Sequence, residues 1–285
     1  AFRFHDGLKR VELPDGLRVI GRMAFKGCRQ LAQADLPDTV AEIGAEAFLG
    51  TALEEFRIPG ALEQLGERAL LVAGENPPLC PPQLKRLAVA PRNARFHLVD
   101  GMLCERMPEG DERLICSVSE SPVVRIPAAV TRLADYAFCN AATIHELYLH
   151  RGILSIGFRA LDLLNPPERI GFEFAEPADG LDAIVLPFPT YDRAARVIVR
   201  MIVNEDYHEG LRFLFDTYDD CVLRAPDIAQ RADIILYRLA NPFQLSERMK
   251  ERYRSCIERH LREICCRYAE CDDVDKLTAL IDLGF

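Results

Sequence analysis

An internal repeat of 22 or 23 residues is the feature that most constrains what this chain can fold into. Each unit has an anchoring Leu or Ile, apolar residues four and seven positions later, and an Ala-Phe or Ala-Leu pair at positions eleven and twelve. Such a repeat predicts a stacked array, because a single unit is too small to bury its own apolar face. The anchors are Leu13, Leu36, Ile58, Ile126 and Leu149.

The spacing within a unit predicts a short strand followed by a short helical turn. Side chains alternate across a strand, so the anchor and the residue two positions before it face inward. Proline follows four anchors and fits the end of a strand, because it cannot donate to the hydrogen-bond ladder. Glycine follows position seven in four units, where it fits either a positive φ or a close backbone approach; the exception is Ala134.

The repeated strings resemble the BspA-like leucine-rich repeats. They are LPDGLRVIGRMAF, LPDTVAEIGAEAF, IPGALEQLGERAL, IPAAVTRLADYAF and LHRGILSIGFRAL. The resemblance implies an α/β fold, a leucine-rich-repeat solenoid of short strands and short helical turns. It also implies a non-enzymatic protein that binds macromolecules, because BspA-like proteins are commonly implicated in adhesion and protein interaction.

The pattern divides the chain into two parts. We place the solenoid at residues 1–186, with a hairpin insertion near 96–116 around a polar segment at 108–112. Residues 187–285 change to helical spacing and predict an all-α module, which either caps the solenoid or binds a partner. The expected helices cover about 190–203, 207–218, 226–241, 246–268 and 273–283.

The first residues fit the same register as the repeats. Ala1 and Phe2 lie 23 positions before Ala24 and Phe25, so the sequence begins inside a unit. We expect at least one further unit upstream in the native protein.

Catalytic and metal-binding strings are absent from the sequence. It contains no GxGxxG, P-loop, HExxH or GxSxG string, and we predict no enzyme, cofactor or metal. A zinc or thiol site remains a less favoured alternative, because Cys256 and His260 share a helix face and a cysteine from a following turn could join them. That cluster is Cys256, His260, Cys265, Cys266 and Cys271.

Charge and cysteine content limit the partners and the compartment. A net charge of −9 makes the chain a poor binder of nucleic acid, which requires neutralised phosphates. The apolar runs are far shorter than the roughly 20 residues of a membrane helix, so no membrane insertion is expected. Ten scattered cysteines favour a reduced, cytoplasmic protein. The alternative is a cell-surface or secreted location, as in many BspA-like proteins.

The outward residues of the strands form the predicted binding surface. Their mixture of Arg, acidic residues and Tyr suits a protein or peptide ligand, because Arg and Tyr are typical of binding hot spots. Two alternatives stay open: a solvated face with weak ion pairs, and a self-associating scaffold. One column is Arg10, Gln33, Glu55, Arg86, Val123 and Glu146, and the other is Glu12, Asp35, Arg57, Ala88, Arg125 and Tyr148. The candidates are all of these except Val123 and Ala88.

Overall fold

The computed structural model describes residues 2–72, 84–141, 143–161, 163, 167–178, 181–188 and 215–285. In these ranges, short strands stack along a solenoid and four helices follow. The leucine-rich-repeat fold predicted from the sequence is therefore confirmed. The predicted helix at 190–203 and the start of the one at 207–218 lie outside the described residues.

Each repeat unit contributes two strands, although the sequence pattern predicts only one. The first strand carries the outward columns, and a second strand, which is shorter in every unit except the fourth, ends at position seven of the unit. The strands are β1 (Arg10–Glu12), β2 (Val19–Ile20), β3 (Gln33–Asp35), β4 (Glu42–Ile43), β5 (Glu55–Ile58), β6 (Gln64–Leu65), β7 (Arg86–Val89), β8 (Phe96–Val99), β9 (Met102–Arg106), β10 (Glu112–Ser117), β11 (Val123–Arg125), β12 (Val130–Leu133), β13 (Glu146–Leu149), β14 (Ser155–Ile156), β15 (Arg169–Ala178) and β16 (Leu181–Pro187).

The strands form two rows along the solenoid. The outward columns lie on the sheets β1-β3, β5-β7 and β11-β13-β15-β16, which are parallel except for the final β15-β16 hairpin. The second row consists of β2-β4-β6 and of β14-β12-β10-β9-β8. Each row thus joins residues that lie one repeat apart in the sequence.

Backbone hydrogen bonds and aromatic rings hold neighbouring turns together. The amide of Phe25 donates to the carbonyl of Ala47 (2.8 Å), and the amide of Phe48 donates to that of Ala69 (3.0 Å). The rings of Phe25 and Phe48 stack with their centroids 5.3 Å apart. The Ala-Phe pair therefore closes each unit against the next one.

Close backbone approach explains the repeated glycine in the second and third units. A Cβ atom on Gly44 would lie 2.5 Å from the Arg22 amide, and one on Gly66 would lie 2.2 Å from the Ala45 amide. Neither glycine has a positive φ. Of the two explanations offered by the sequence, the close approach of one turn to the preceding turn is the one the structure supports.

The insertion between the third and fourth units is a meander of three antiparallel strands, β8, β9 and β10. The sequence predicts a hairpin here, but Asp100 and Gly101 divide its first arm into two strands. Both residues have positive φ, of 48° and 78°, as a tight hairpin turn requires. Strand β10 then pairs in parallel with β12 and so joins the second row.

The meander separates two hydrophobic cores. Leu103 and Cys116 pack into the core of the first block, which we define as residues 2–72 with β7. Cys104 and Leu114 pack into the core of the second block, residues 121–163, which continues into the helices. Both faces of the meander are therefore buried, one against each block.

The all-α C-terminal part is confirmed, and the helices predicted at 246–268 and 273–283 start where the sequence analysis places them. The Ser246 side chain accepts from the Met249 amide, and the Asp273 side chain accepts from the Lys276 amide. No helix in the described ranges is long and apolar enough to cross a bilayer. The helices are α1 (Phe215–Leu223), α2 (Ile228–Ala240), α3 (Glu247–Glu270) and α4 (Val274–Asp282).

These helices pack on the last hairpin of the solenoid. The Tyr218 hydroxyl donates to the Pro187 carbonyl (2.6 Å), and its ring meets that of Phe188 edge to face. Inside the helical part, the fully buried Arg238 donates to both carboxylate oxygens of Asp219, at 2.9 and 3.0 Å. The second block and the helices thus share one core.

Candidate binding surface

The strand register aligns the outward residues within three separate sheets. The strands that carry the two columns do not form one sheet in the described chain, because the meander stands between β7 and β11 and no ladder joins β3 to β5. Arg125, Glu146 and Tyr148 therefore lie in a different sheet from the other seven candidates. The aligned pairs are Arg10 with Gln33, Glu12 with Asp35, Glu55 with Arg86, Arg57 with Ala88, Val123 with Glu146, and Arg125 with Tyr148.

Exposed ion pairs occupy the outward face of the first block. Arg10 pairs with Asp35 at 2.8 Å, and Glu55 pairs with Arg86. All four side chains are more than half exposed, so each pair contributes at most about 1 kcal/mol to stability. The charges on this part of the face largely neutralise one another.

Arg57 is bound by a carboxylate that the sequence analysis did not single out. Its guanidinium donates to both oxygens of Asp38, at 2.6 and 3.0 Å. The hydrogen bond from Arg57, followed by one from the Gly60 amide, lowers the pKa of Asp38. Asp38 follows the proline of the preceding unit, so only the stacking of units brings it to Arg57.

The outward face of the second block has a different chemistry. The Arg125 guanidinium lies 3.8 Å from the ring centroid of Tyr148, and the Tyr148 hydroxyl donates to Glu146 at 2.8 Å. That hydrogen bond to Glu146, reinforced by burial, raises the pKa of Tyr148. We call Arg125 and Tyr148 the Arg-Tyr stack.

Gly171 on β15 completes the support of this stack. A Cβ atom at Gly171 would lie 2.3 Å from the Tyr148 ring, so the ring covers the bare backbone of the neighbouring strand. The ring is therefore held between Arg125 on one side and Gly171 on the other.

An open cleft of about 560 Å³ lies beside the Arg-Tyr stack. We call it the meander cleft, because the β8-β9 turn forms one wall while Arg125 and the partly exposed Val123 form another. The sequence analysis missed it, since its walls come together only when the meander folds against β11. Its lining residues are Asp100, Gly101, Met102, Val118, Ser119, Glu120, Ser121, Val123, Val124 and Arg125.

The cysteine cluster proposed near the C-terminus does not form a metal site. All of its members are described, yet no three of them bring ligand atoms within 4.8 Å of one another. Cys265 and Cys266 lie within α3, which continues without a break from Glu247 to Glu270, and Cys271 lies in the turn that follows it. With a rise of 1.5 Å per residue, Cys265 lies about 14 Å along the helix from Cys256.

The comparisons with known proteins agree with the repeat pattern. Residues 1–73 match the family described as BspA type leucine rich repeat region, in six copies. Among solved structures, the chain is similar to a leucine rich cell surface protein from Faecalibacterium prausnitzii A2-165, with 26% identity and a TM-score of 0.53 over 61% of this chain and 43% of that one. It is also similar to the pneumococcal vaccine antigen PcpA, with 26% identity and a TM-score of 0.50 over 57% and 39% of the two chains.

These similarities cover only part of the solved structures. The chain spans less than half the length of either solved structure, at 43% and 39%. No curated protein matches it significantly. The family match and the solenoid architecture have the repeat in common, and the repeats in residues 1–73 are of the BspA type of leucine-rich repeat.

Proposed function

We propose that this protein binds another protein or a peptide, without catalysing a reaction, through the Arg-Tyr stack and the meander cleft. The observation that carries the proposal is the preorganised stack of Arg125 on Tyr148 beside an open cleft. Arg and Tyr are enriched among the residues that dominate binding energy. Side chains that are already fixed also lose less conformational entropy when a ligand binds.

The distribution of ion pairs favours a binding site on the second block rather than on the first. Among the described residues, Arg125 makes no salt bridge, whereas Arg10, Arg57 and Arg86 each pair with a carboxylate. A ligand on the first block would have to replace ion pairs that already exist. A carboxylate of the ligand can instead pair directly with Arg125, while an apolar side chain enters the cleft at Val123.

The relatives support recognition at the level of the fold. One is described as a cell surface protein and the other as a vaccine antigen. Solenoids present extended surfaces to their ligands, although a shared fold does not by itself fix a function. The strand face of the second block is therefore the part to test first.

Affinity capture with charge-reversed variants tests the proposal. Wild-type protein, Arg125→Glu and Tyr148→Ala would each be incubated with extract, and the captured proteins would be identified by mass spectrometry. Arg262→Glu on α3 is the matched control, because Arg262 is exposed and remote in sequence from the strand face. We expect a partner that wild type and the control retain and that both stack variants lose, with hot-spot effects of about 2 kcal/mol or more in binding.

Two results would contradict the proposal, the first in its site and the second in its ligand. A partner retained by both stack variants but lost by Arg57→Glu would place binding on the first block. A concentration-dependent mass in light scattering, abolished by Arg125→Glu, would show that the ligand is a second copy of the chain and would support the scaffold alternative.

For the compartment, we propose a reducing environment. The nine described cysteines are free, and two of them, Cys266 and Cys271, are exposed. A membrane-impermeant maleimide would label these thiols only after lysis if the protein is cytoplasmic. Labelling of intact cells would instead support a surface location for this protein, as described for the F. prausnitzii relative.

A further inference from the structure

Three potential metal ligands meet on one face of the meander. His97 on β8 is the direct cross-strand partner of Cys104 on β9, and Glu112 lies on the adjoining strand β10. One ligand atom from each residue lies within 4.8 Å of the other two. Within the described ranges, no other group of three such side chains comes this close.

The imidazole of His97 lacks hydrogen bonds in the described chain. Its Nδ1 atom is buried and has no partner. Its Nε2 atom lies 3.3 Å from a Glu112 carboxylate oxygen, which is longer than the 2.7–2.9 Å typical of a charge-assisted hydrogen bond. Nε2 and the Glu112 oxygen thus lie close together without a short hydrogen bond between them, as two ligands of one metal ion would.

The 3.3 Å between His97 Nε2 and the Glu112 oxygen fits two ligands of one zinc ion. Bonds of about 2.0–2.2 Å from zinc to nitrogen and oxygen, at a tetrahedral angle, separate the two ligand atoms by about 3.3–3.5 Å. A thiolate at about 2.3 Å from the ion would lie roughly 3.6 Å from each of them. The sulfur therefore needs to move toward the other two ligand atoms by at most about 1.2 Å.

We propose that His97, Cys104 and Glu112 bind one Zn²⁺ ion. Imidazole nitrogen, thiolate sulfur and carboxylate oxygen are the ligand types that zinc accepts, and the thiolate disfavours Mg²⁺ and Ca²⁺. Water occupies the fourth position and reaches it from the side of His97 and Glu112, whose side chains are 24% and 14% exposed. Cys104 approaches the ion from the core, where it is fully buried.

Binding displaces one proton. Burial, and to a smaller extent the charge of Glu112, raise the pKa of the Cys104 thiol to about 12, so the metal-free site holds a protonated thiol. The thiol proton leaves to buffer as the sulfur–zinc bond forms. The ion then connects all three strands of the meander, the wall between the two cores.

Zinc titration of the purified chain tests this site. The exposed cysteines would first be replaced in a Cys266→Ser, Cys271→Ser background, so that surface thiols do not bind the ion. We expect one equivalent of Zn²⁺ per chain, measured by competition with a chromophoric chelator, and a rise in Tm with excess zinc. Co²⁺ in place of zinc should give a thiolate-to-metal charge-transfer band.

Variants of the three ligands decide the outcome. His97→Asn, Cys104→Ala and Glu112→Gln should each weaken zinc binding at least tenfold, and Cys104→Ala should lose the cobalt band. Cys116→Ala is the matched control, because Cys116 is also buried but packs on the opposite face of the meander. His97→Asn and Glu112→Gln change partly exposed residues and keep the test valid if Cys104→Ala fails to fold. No stoichiometric binding, or equal binding in the folded ligand variants, would overturn the proposal.

Discussion

The two blocks of the solenoid have one sequence pattern but different surroundings. In the first block each unit packs against another unit, so that Gly44 meets the turn at Gly21–Arg22 and Gly66 meets the turn at Gly44–Ala45. In the second block the first unit packs against the meander, and its Ala134 amide donates to the Leu114 carbonyl of β10. The repeat pattern therefore determines the fold of each unit, while the neighbouring unit or strand determines whether glycine is required in it.

Ala134 shows this most clearly. It occupies the position that is glycine in the other four units. A strand precedes it in space instead of a turn, so no backbone approaches closely enough to exclude a Cβ atom. The next unit again faces a turn, and there Gly157 returns, with a Cβ position only 2.6 Å from the Ala134 carbonyl carbon.

The largest effects are expected from the aromatic residues that close matching units. Phe48→Ala and Phe138→Ala each remove a fully buried ring and should each lower the free energy of unfolding by about 3–5 kcal/mol. The two large cores are separate, and the blocks also meet directly in one small cluster of Leu49, Leu71, Tyr136 and Cys139. Hydrogen exchange should therefore increase mainly within the first block for Phe48→Ala and mainly within the second block for Phe138→Ala. Denaturant melts and exchange mass spectrometry measure both effects; increases spread evenly over the two blocks would refute the division.

Leucines on opposite faces of the meander give the next test. Leu103→Ala and Leu114→Ala should each reduce stability by about 2–5 kcal/mol, because both side chains are fully buried. Leu103 contacts the first core and Leu114 the second, so exchange should rise on opposite sides of the wall. The same pattern for both variants would show that the meander couples the cores instead of separating them.

Glycine-to-alanine substitutions compare a unit whose glycine touches the preceding turn with a unit whose glycine touches nothing. Gly66→Ala should destabilise the chain by about 1–3 kcal/mol, because the new methyl group overlaps the Ala45 backbone. Gly21→Ala serves as the control, since nothing lies within 4 Å of its Cβ position. Thermal melts compare the two variants, and equal Tm values would contradict close approach as the reason for the glycine.

The smallest effects on stability are expected on the outward faces. Arg10→Ala breaks an exposed ion pair, and Arg125→Ala removes a cation–π contact, so each should change stability by at most about 1 kcal/mol. Only Arg125→Ala should also weaken ligand binding. Parallel melts and binding assays on the two variants would sharpen the contrast, and equal binding by both would place the ligand elsewhere.

Much of the fold was predictable because its signals are local. The anchors and the Ala-Phe pairs recur at a fixed spacing, and Ser246 and Asp273 cap helices within a few residues of themselves. The second row of strands was missed because its members are only two residues long in several units. The extra meander strand has a local signal in the Asp100-Gly101 pair, because Asp-Gly is typical of a tight hairpin turn.

The candidate surface was only partly predictable. Which residues point outward follows from the sequence alone, because side chains alternate along any strand. The pairing of Arg57 with Asp38 depends on tertiary structure. So do the stacking of Arg125 on the Tyr148 ring and the contact of that ring with Gly171. Tertiary structure also decided the meander cleft and the meeting of His97, Cys104 and Glu112. The physical reason is distance along the chain: a repeat and a cap are set by neighbours in sequence, but a partner, a cleft or a metal site depends on which surfaces packing brings together.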